Sequence, residues 1–173
     1  MFGRGLPKPA DESEARVIAD IEEHGWHALH VRDEFHPEHA PWTHPDPAVE
    51  AASCHGFSYT VGLWPTRRRP ELILTGDWGD MRKMHSVLGA AVARVLDDGA
   101  EWRAGDQDDE VLERLPVRFG AVARLFRLEL LTWSHWAARR REFEALQLLL
   151  PDRDGHWPGA PGYAGPPQPL LDD

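Results

Sequence analysis

The chain has a single cysteine, Cys54, so no disulfide can close within it and no thiolate zinc cluster can form inside one copy. No stretch approaches the roughly 20 apolar residues that a bilayer-spanning helix needs. The opening MFGRGLPKPADESEARV lacks the apolar core of a secretory signal. There is no Gly-rich phosphate loop, no HExxH and no CxxC, which removes the strongest local signatures of nucleotide, zinc-protease and dithiol chemistry. Positive charge is also short. Lys and Arg total 19 against 29 Asp and Glu, a net charge of -10. That balance opposes a general affinity for polyanions and, more weakly, for an anionic membrane surface. The expectation is a cytoplasmic protein that binds neither nucleic acid nor membrane.

What is present suits one domain. The 173 residues are 42% hydrophobic and 28% charged. A chain of this length buries roughly 70% of its extended surface and needs no cross-link to fold. Residues 1–10 read as a flexible lead-in, 11–158 as a single domain, and the Pro- and Gly-rich residues 159–173 as a tail packed on it.

Local pattern predicts most of the elements. Ser13 can cap a helix carrying Val17, Ile18 and Ile21, and Gly25 can end it. Residues 26–32 read as a short strand. Four prolines between Glu34 and Pro47 predict a long loop. From His55 to Leu63, Phe57, Tyr59, Val61 and Leu63 alternate with Ser58, Thr60 and Gly62, the period of a strand. Glu71–Thr75 is its hairpin partner across a turn at 64–70. Met84, Val87, Leu88, Ala91, Val92 and Val95 form a helical stripe after Asp80. Residues 100–109 read as a polar connector, 112–122 as a strand or strand pair, and 123–141 as a helix by length, although Phe126, Leu128 and Leu130 also alternate. Leu146–Leu150 is a strand that Pro151 ends. The order implies an α+β fold with a mainly antiparallel or mixed sheet and two or three helices on one face.

The run Cys54-His-Gly-Phe-Ser-Tyr-Thr-Val-Gly-Leu63 is followed by Pro70-Glu-Leu72, Leu146-Gln147, Pro151-Asp-Arg-Asp-Gly155, Trp157-Pro158 and the closing Gln168-Pro-Leu-Leu171. In this order they resemble a bacterial family of unknown function, the domain numbered 4262. The resemblance implies membership and carries over no reaction, cofactor or catalytic residue. Against that family, the segment from Phe126 to Arg139 looks unusual.

Candidate chemistry is therefore read residue by residue. Seven of the 10 histidines lie between His24 and His55. His36, His39 and His44, in the proline-rich loop, can converge on zinc or another transition metal, because neutral imidazoles bind such ions. The bland alternative is a solvated His-rich loop. Cys54 is a candidate thiol nucleophile, although lone cysteines more often simply pack. His55 and Tyr59 share parity on the first hairpin strand and Glu71 opens the second. A pocket there would have His55 or Glu71 as base and Tyr59 as proton donor. An apolar core face is the stronger reading of the same residues. Arg67 and Arg69, flanking Arg68 in the turn, are candidate anion ligands. Gln147 needs partners inside an apolar strand, either a ligand amide or the C-terminal tail. Asp152 joins Asp154 in a turn that fails the calcium-hand pattern.

Two functional readings follow. One is an accessory domain that binds a small molecule or a protein. The other is a small metal-assisted or acid-base hydrolase that uses loop 36–44 beside strand 55–63. A homodimer through an open sheet edge is a third arrangement.

Overall fold

The computed structural model describes residues 5–31, 44–76 and 78–172. His36 and His39 lie outside them. Among the described residues are six helices: α1 (Glu12–His24), α2 (Pro47–Ser53), α3 (Leu63–Arg67), α4 (Met81–Leu96), α5 (Arg124–Glu129) and α6 (Thr132–Ala137). Six strands form one sheet: β1 (His27–Val31), β2 (Phe57–Val61), β3 (Glu71–Thr75), β4 (Gln107–Leu112), β5 (Leu115–Ala121) and β6 (Ala145–Leu149). Their spatial order is β1-β2-β3-β6-β5-β4. Every neighbouring pair is antiparallel except β3 and β6, which run parallel. This is the mixed α+β fold that the element order implied.

Local chemistry explains the helix ends. Asp11, rather than Ser13, caps α1 by accepting from the Glu14 amide at 2.8 Å. Gly25 ends the helix at a φ of 86°, which a Cβ would oppose. Asp46 caps α2, whose first residue is Pro47; a proline there gives up an amide hydrogen the helix cannot use. Asp80 caps α4 through the Arg82 amide.

The sheet is covered on both faces. On one, Phe57, Tyr59, Val61, Ile73 and Ala145 pack with residues of α1, α2, α5 and α6 and with Leu171 of the C-terminal segment. On the other, Leu72, Leu74, Val117, Phe119, Leu146 and Leu148 pack with Leu88, Ala91 and Val92 of α4. Strands between two such layers are buried on both sides, as β2 and β3 are along their whole length, and their buried polar residues Ser58, Thr60, Glu71 and Thr75 are hydrogen-bonded.

Four expectations change. The helices number six among the described residues and cover both faces of the sheet, not two or three on one face. Leu63 leaves the Phe57 face and joins the α4 side, because Gly62, at a φ of 118°, turns the chain into α3. Ile21 of α1 closes over that glycine, and a Cβ on it would lie 2.9 Å from the isoleucine side chain. The expected polar connector contains the start of β4, an exposed edge strand whose Asp108, Asp109 and Glu110 need no apolar alternation. The single helix expected over 123–141 is two short helices, broken between Glu129 and Thr132 where Leu130 and Leu131 turn inward and are buried.

Candidate functional site

The turn after β6 is organised by one carboxylate. The Asp152 side chain is only 4% exposed. Its Oδ1 accepts the amides of Asp154 at 2.9 Å and His156 at 2.8 Å. Its Oδ2 accepts the Ala164 amide at 2.8 Å and lies 3.3 Å from His156 Nδ1. Burial alone would push this carboxyl up. The amides of Ala164, His156 and Asp154 outweigh it, and with the His156 ring they hold the group below the usual carboxylate range.

The same turn brings Asp154 and His156 to the surface beside Asp152, with one ligand atom of each within 4.8 Å of the others. These three residues can hold a metal ion. Asp152 and Asp154 also line a cleft of about 700 Å³, together with Trp78, Lys83, Leu115 and Pro166. The cleft lining thus includes Lys83 of α4 and Arg153 of the turn as well as the two carboxylates.

The other predicted residues fall in separate places. Glu71 is completely buried. Its Oε1 accepts the amides of Gly62 at 3.0 Å and Trp64 at 2.9 Å, and its Oε2 accepts the Thr60 hydroxyl at 2.7 Å. Burial pushes this carboxyl up to about 7, and the three donors act in the opposite direction. Tyr59 is 1% exposed, in the core beside Phe57, and burial raises its phenol to about 12. Its hydroxyl oxygen meets the Trp133 amide at 3.4 Å. His55 is exposed, between the end of α2 and the start of β2. The acid-base set of His55, Tyr59 and Glu71 is therefore not assembled on one accessible surface. The even spacing of His55 and Tyr59 does not put them on one strand face, because β2 begins only at Phe57.

Gln147 is occupied. Its amide group donates to Thr75 Oγ1 at 2.9 Å and to the Pro169 carbonyl at 2.7 Å, and its oxygen accepts the Leu171 amide at 3.1 Å. It ties the C-terminal segment to the sheet. Arg69 pairs with Glu101, and Arg67 is exposed at the end of α3. His44 lies at 3.0 Å from a Glu129 carboxylate oxygen through Nε2 and accepts the Asp46 amide at its Nδ1. Cys54 is exposed, with Sγ 3.2 Å from the Ala51 carbonyl.

Two groupings escaped the residue-by-residue reading. The Asp-x-Asp-x-His spacing at 152–156 is present in the sequence but does not fit a calcium hand. The second joins distant elements: His30 Nδ1 is 2.7 Å from Ser58 Oγ, and His85 of α4 lies against both His30 and Trp26. Ser58 is sealed from solvent and also faces Met84 Sδ, which leaves its hydroxyl no route to a substrate.

Among the described residues, no helix is long and apolar enough to cross a membrane. No curated protein and no solved structure matches the chain. Its residues 20–164 match the domain of unknown function DUF4262, and the chain belongs to that family.

Proposed function

We propose that this chain is a metal-binding domain of the metal-assisted hydrolase type, with a divalent transition ion held by Asp152 Oδ2, Asp154 and His156 Nδ1 at the edge of the Lys83 cleft. The observation that carries this reading is the 3.3 Å separation of His156 Nδ1 from Asp152 Oδ2. Two bonds of about 2.1 Å spanning that gap meet at about 104°, near the tetrahedral angle zinc prefers. The amides of Asp154 and His156 on Oδ1 already fix the carboxylate plane, as outer-shell donors do around metal ligands. Asp154 is the third ligand, exposed and free to swing. A three-ligand site leaves at least one coordination position for water or a ligand oxygen, and an ion there would lower the pKa of that water. Lys83 would attract an anionic ligand group into the same cleft.

The location differs from loop 36–44, but the chemistry is that of the hydrolase alternative. Isothermal titration of metal-free protein with zinc chloride tests it. The expected result is one ion per chain, with affinity falling about 10-fold or more in Asp154→Asn and in His156→Ala. Absence of saturable one-to-one binding, or affinity equal to the parent's in both variants, would reject the site.

A further inference from the structure

The sequence contains two arginine triplets, Arg67-Arg68-Arg69 and Arg139-Arg140-Arg141. They are far apart in the chain, and the fold brings one member of the first against two of the second. Arg68, Arg139 and Arg141 line a single cleft of about 220 Å³ between α3 and the turn that follows α6. The flanking members of the first triplet turn elsewhere, Arg69 to Glu101. Consecutive side chains diverge, so one residue per triplet on a shared surface is the geometric expectation, and the second triplet supplies two because its backbone is turning.

Three features make this a positive site in an acidic protein. First, among the described residues, none of Arg68, Arg139 and Arg141 forms an ion pair with a carboxylate. Second, the one acidic residue lining the cleft, Glu142, is neutralised from outside it. Arg124 Nε lies at 2.9 Å and Arg127 at 3.6 Å from its oxygens, and the Arg124 hydrogen bond leads the effects that hold its carboxyl below the usual range. Third, the guanidiniums are placed by neighbours that cost no charge. Arg68 lies over the Trp64 ring at 5.6 Å, and Arg139 donates to the Leu6 carbonyl at 3.2 Å. The backbone adds to this. The non-glycine residues of positive φ among those described are Arg68, Arg139 and Arg140, at 56–57°. Among the described residues, left-handed positions elsewhere are filled by glycine, yet Arg68 and Arg139 of this cleft, and Arg140 next to it in the chain, adopt them.

We propose that this cleft binds a phosphoryl group, free or carried on a small molecule. Arginine forks match phosphate oxygens in pairs. Three arginines lining one cleft carry more charge than one carboxylate would balance, whereas a phosphoryl group carries about -1.5 to -2 near pH 7. The cleft is smaller than the roughly 300–1,000 Å³ typical of whole drug-sized ligands, so it fits the anionic end of a ligand and not its body. The net charge of -10 repels an extended polyanion, which selects against nucleic acid. The site is distinct from the Asp152 turn and does not depend on any metal there.

Isothermal titration at constant ionic strength, with inorganic phosphate and with phenyl phosphate, tests the proposal. One-to-one saturation by either supports it, and the tighter of the two tells whether the group arrives free or on an organic carrier. The variant R68Q/R139Q/R141Q should bind about 10-fold more weakly or worse, with its thermal unfolding close to that of the parent. If that variant fails to fold, Arg141→Gln alone, at a residue of ordinary φ, should still weaken binding several-fold. No saturation by either compound up to about 10 mM, or unaltered binding in the variants, overturns it. Retention of a labelled oligonucleotide that neither compound displaces also overturns it.

Discussion

Glu71 and Asp152 each gather amide hydrogens from a turn that has no other partner for them, one within the core and the other at the rim of a cleft. Glu71 serves the entry to α3 and meets no solvent. Asp152 serves the loop 152–164 and sits beside two exposed ligand atoms, those of Asp154 and His156. The local chemistry is nearly the same, a carboxylate saturated by donors. The surroundings move the two groups in opposite directions, Glu71 up and Asp152 down. The comparison teaches that in this fold a shifted carboxyl does not by itself mark a site. Access to neighbouring ligand atoms and to a cleft separates the turn that could hold a metal ion from the one that only holds the chain.

The sharpest way to break this comparison is to remove the closed member. Glu71→Ala leaves the amides of Gly62 and Trp64 and the Thr60 hydroxyl without an acceptor in a site that water cannot reach. Each unsatisfied buried donor costs about 1–3 kcal/mol, so a loss of about 3–5 kcal/mol is expected in urea unfolding at pH 7. Zinc affinity in the folded fraction should not change. A loss below about 1 kcal/mol would show that the turn relaxes to satisfy itself, and that Glu71 is not what holds α3.

The pH dependence of stability sharpens the contrast. Glu71 has its carboxyl raised from 4.5 to about 7 in the folded protein. The folded state therefore favours the protonated form. Its contribution is fully present below about pH 4.5 and is lost as pH rises through about 7, a swing of about 3 kcal/mol. Asp152 acts in the other sense. Its lowered carboxyl stabilises the fold above its ordinary value of 3.8 and loses that effect as pH falls through the folded value. Glu71→Gln keeps an acceptor for the amides and mimics the protonated acid. It should flatten the stability decline between pH 5 and 7 while leaving the acid limb in place. An unchanged slope in Glu71→Gln would assign that decline to other groups.

The legible parts of the fold were those decided locally. The hairpin of β2 and β3 follows from Phe57-Ser-Tyr-Thr-Val61, and α4 from its apolar stripe, because both periods are written in consecutive residues. Strand β4 was hidden because its Gln107-Asp-Asp-Glu110 half lies on an open edge, where burial imposes no pattern. The division of the helices between two faces was also hidden, since it is set by the tertiary fold, and so was the turn into α3 at Gly62 under Ile21. For the sites, Gln147 was visible as a polar residue inside an apolar strand that needed partners, and Asp152 as an acidic member of the turn after it. Their partners, Ala164 and Leu171, come from a tail whose Pro-rich composition says little about where it docks. The amides that grip Glu71 come from a chain reversal, and the two arginine triplets meet only through the tertiary fold.

The smallest expected effect lies at two residues that the sequence offered as candidates for nucleophile and base. Cys54 and His55 stand exposed at the junction of α2 and β2, and the Cys54 thiol reaches only the carbonyl of Ala51 on its own helix. Neither lines the Lys83 cleft or the arginine cleft. Replacing them as Cys54→Ser and His55→Ala should change unfolding free energy by no more than about 0.5 kcal/mol each. The same variants should leave zinc titration and phosphate titration as they were, because the comparison of the two carboxylates locates function by what a group can reach. A drop of several-fold in either affinity on changing His55 alone would mean that this junction reaches a ligand after all, and that exposure at the Asp152 turn is not what sets it apart.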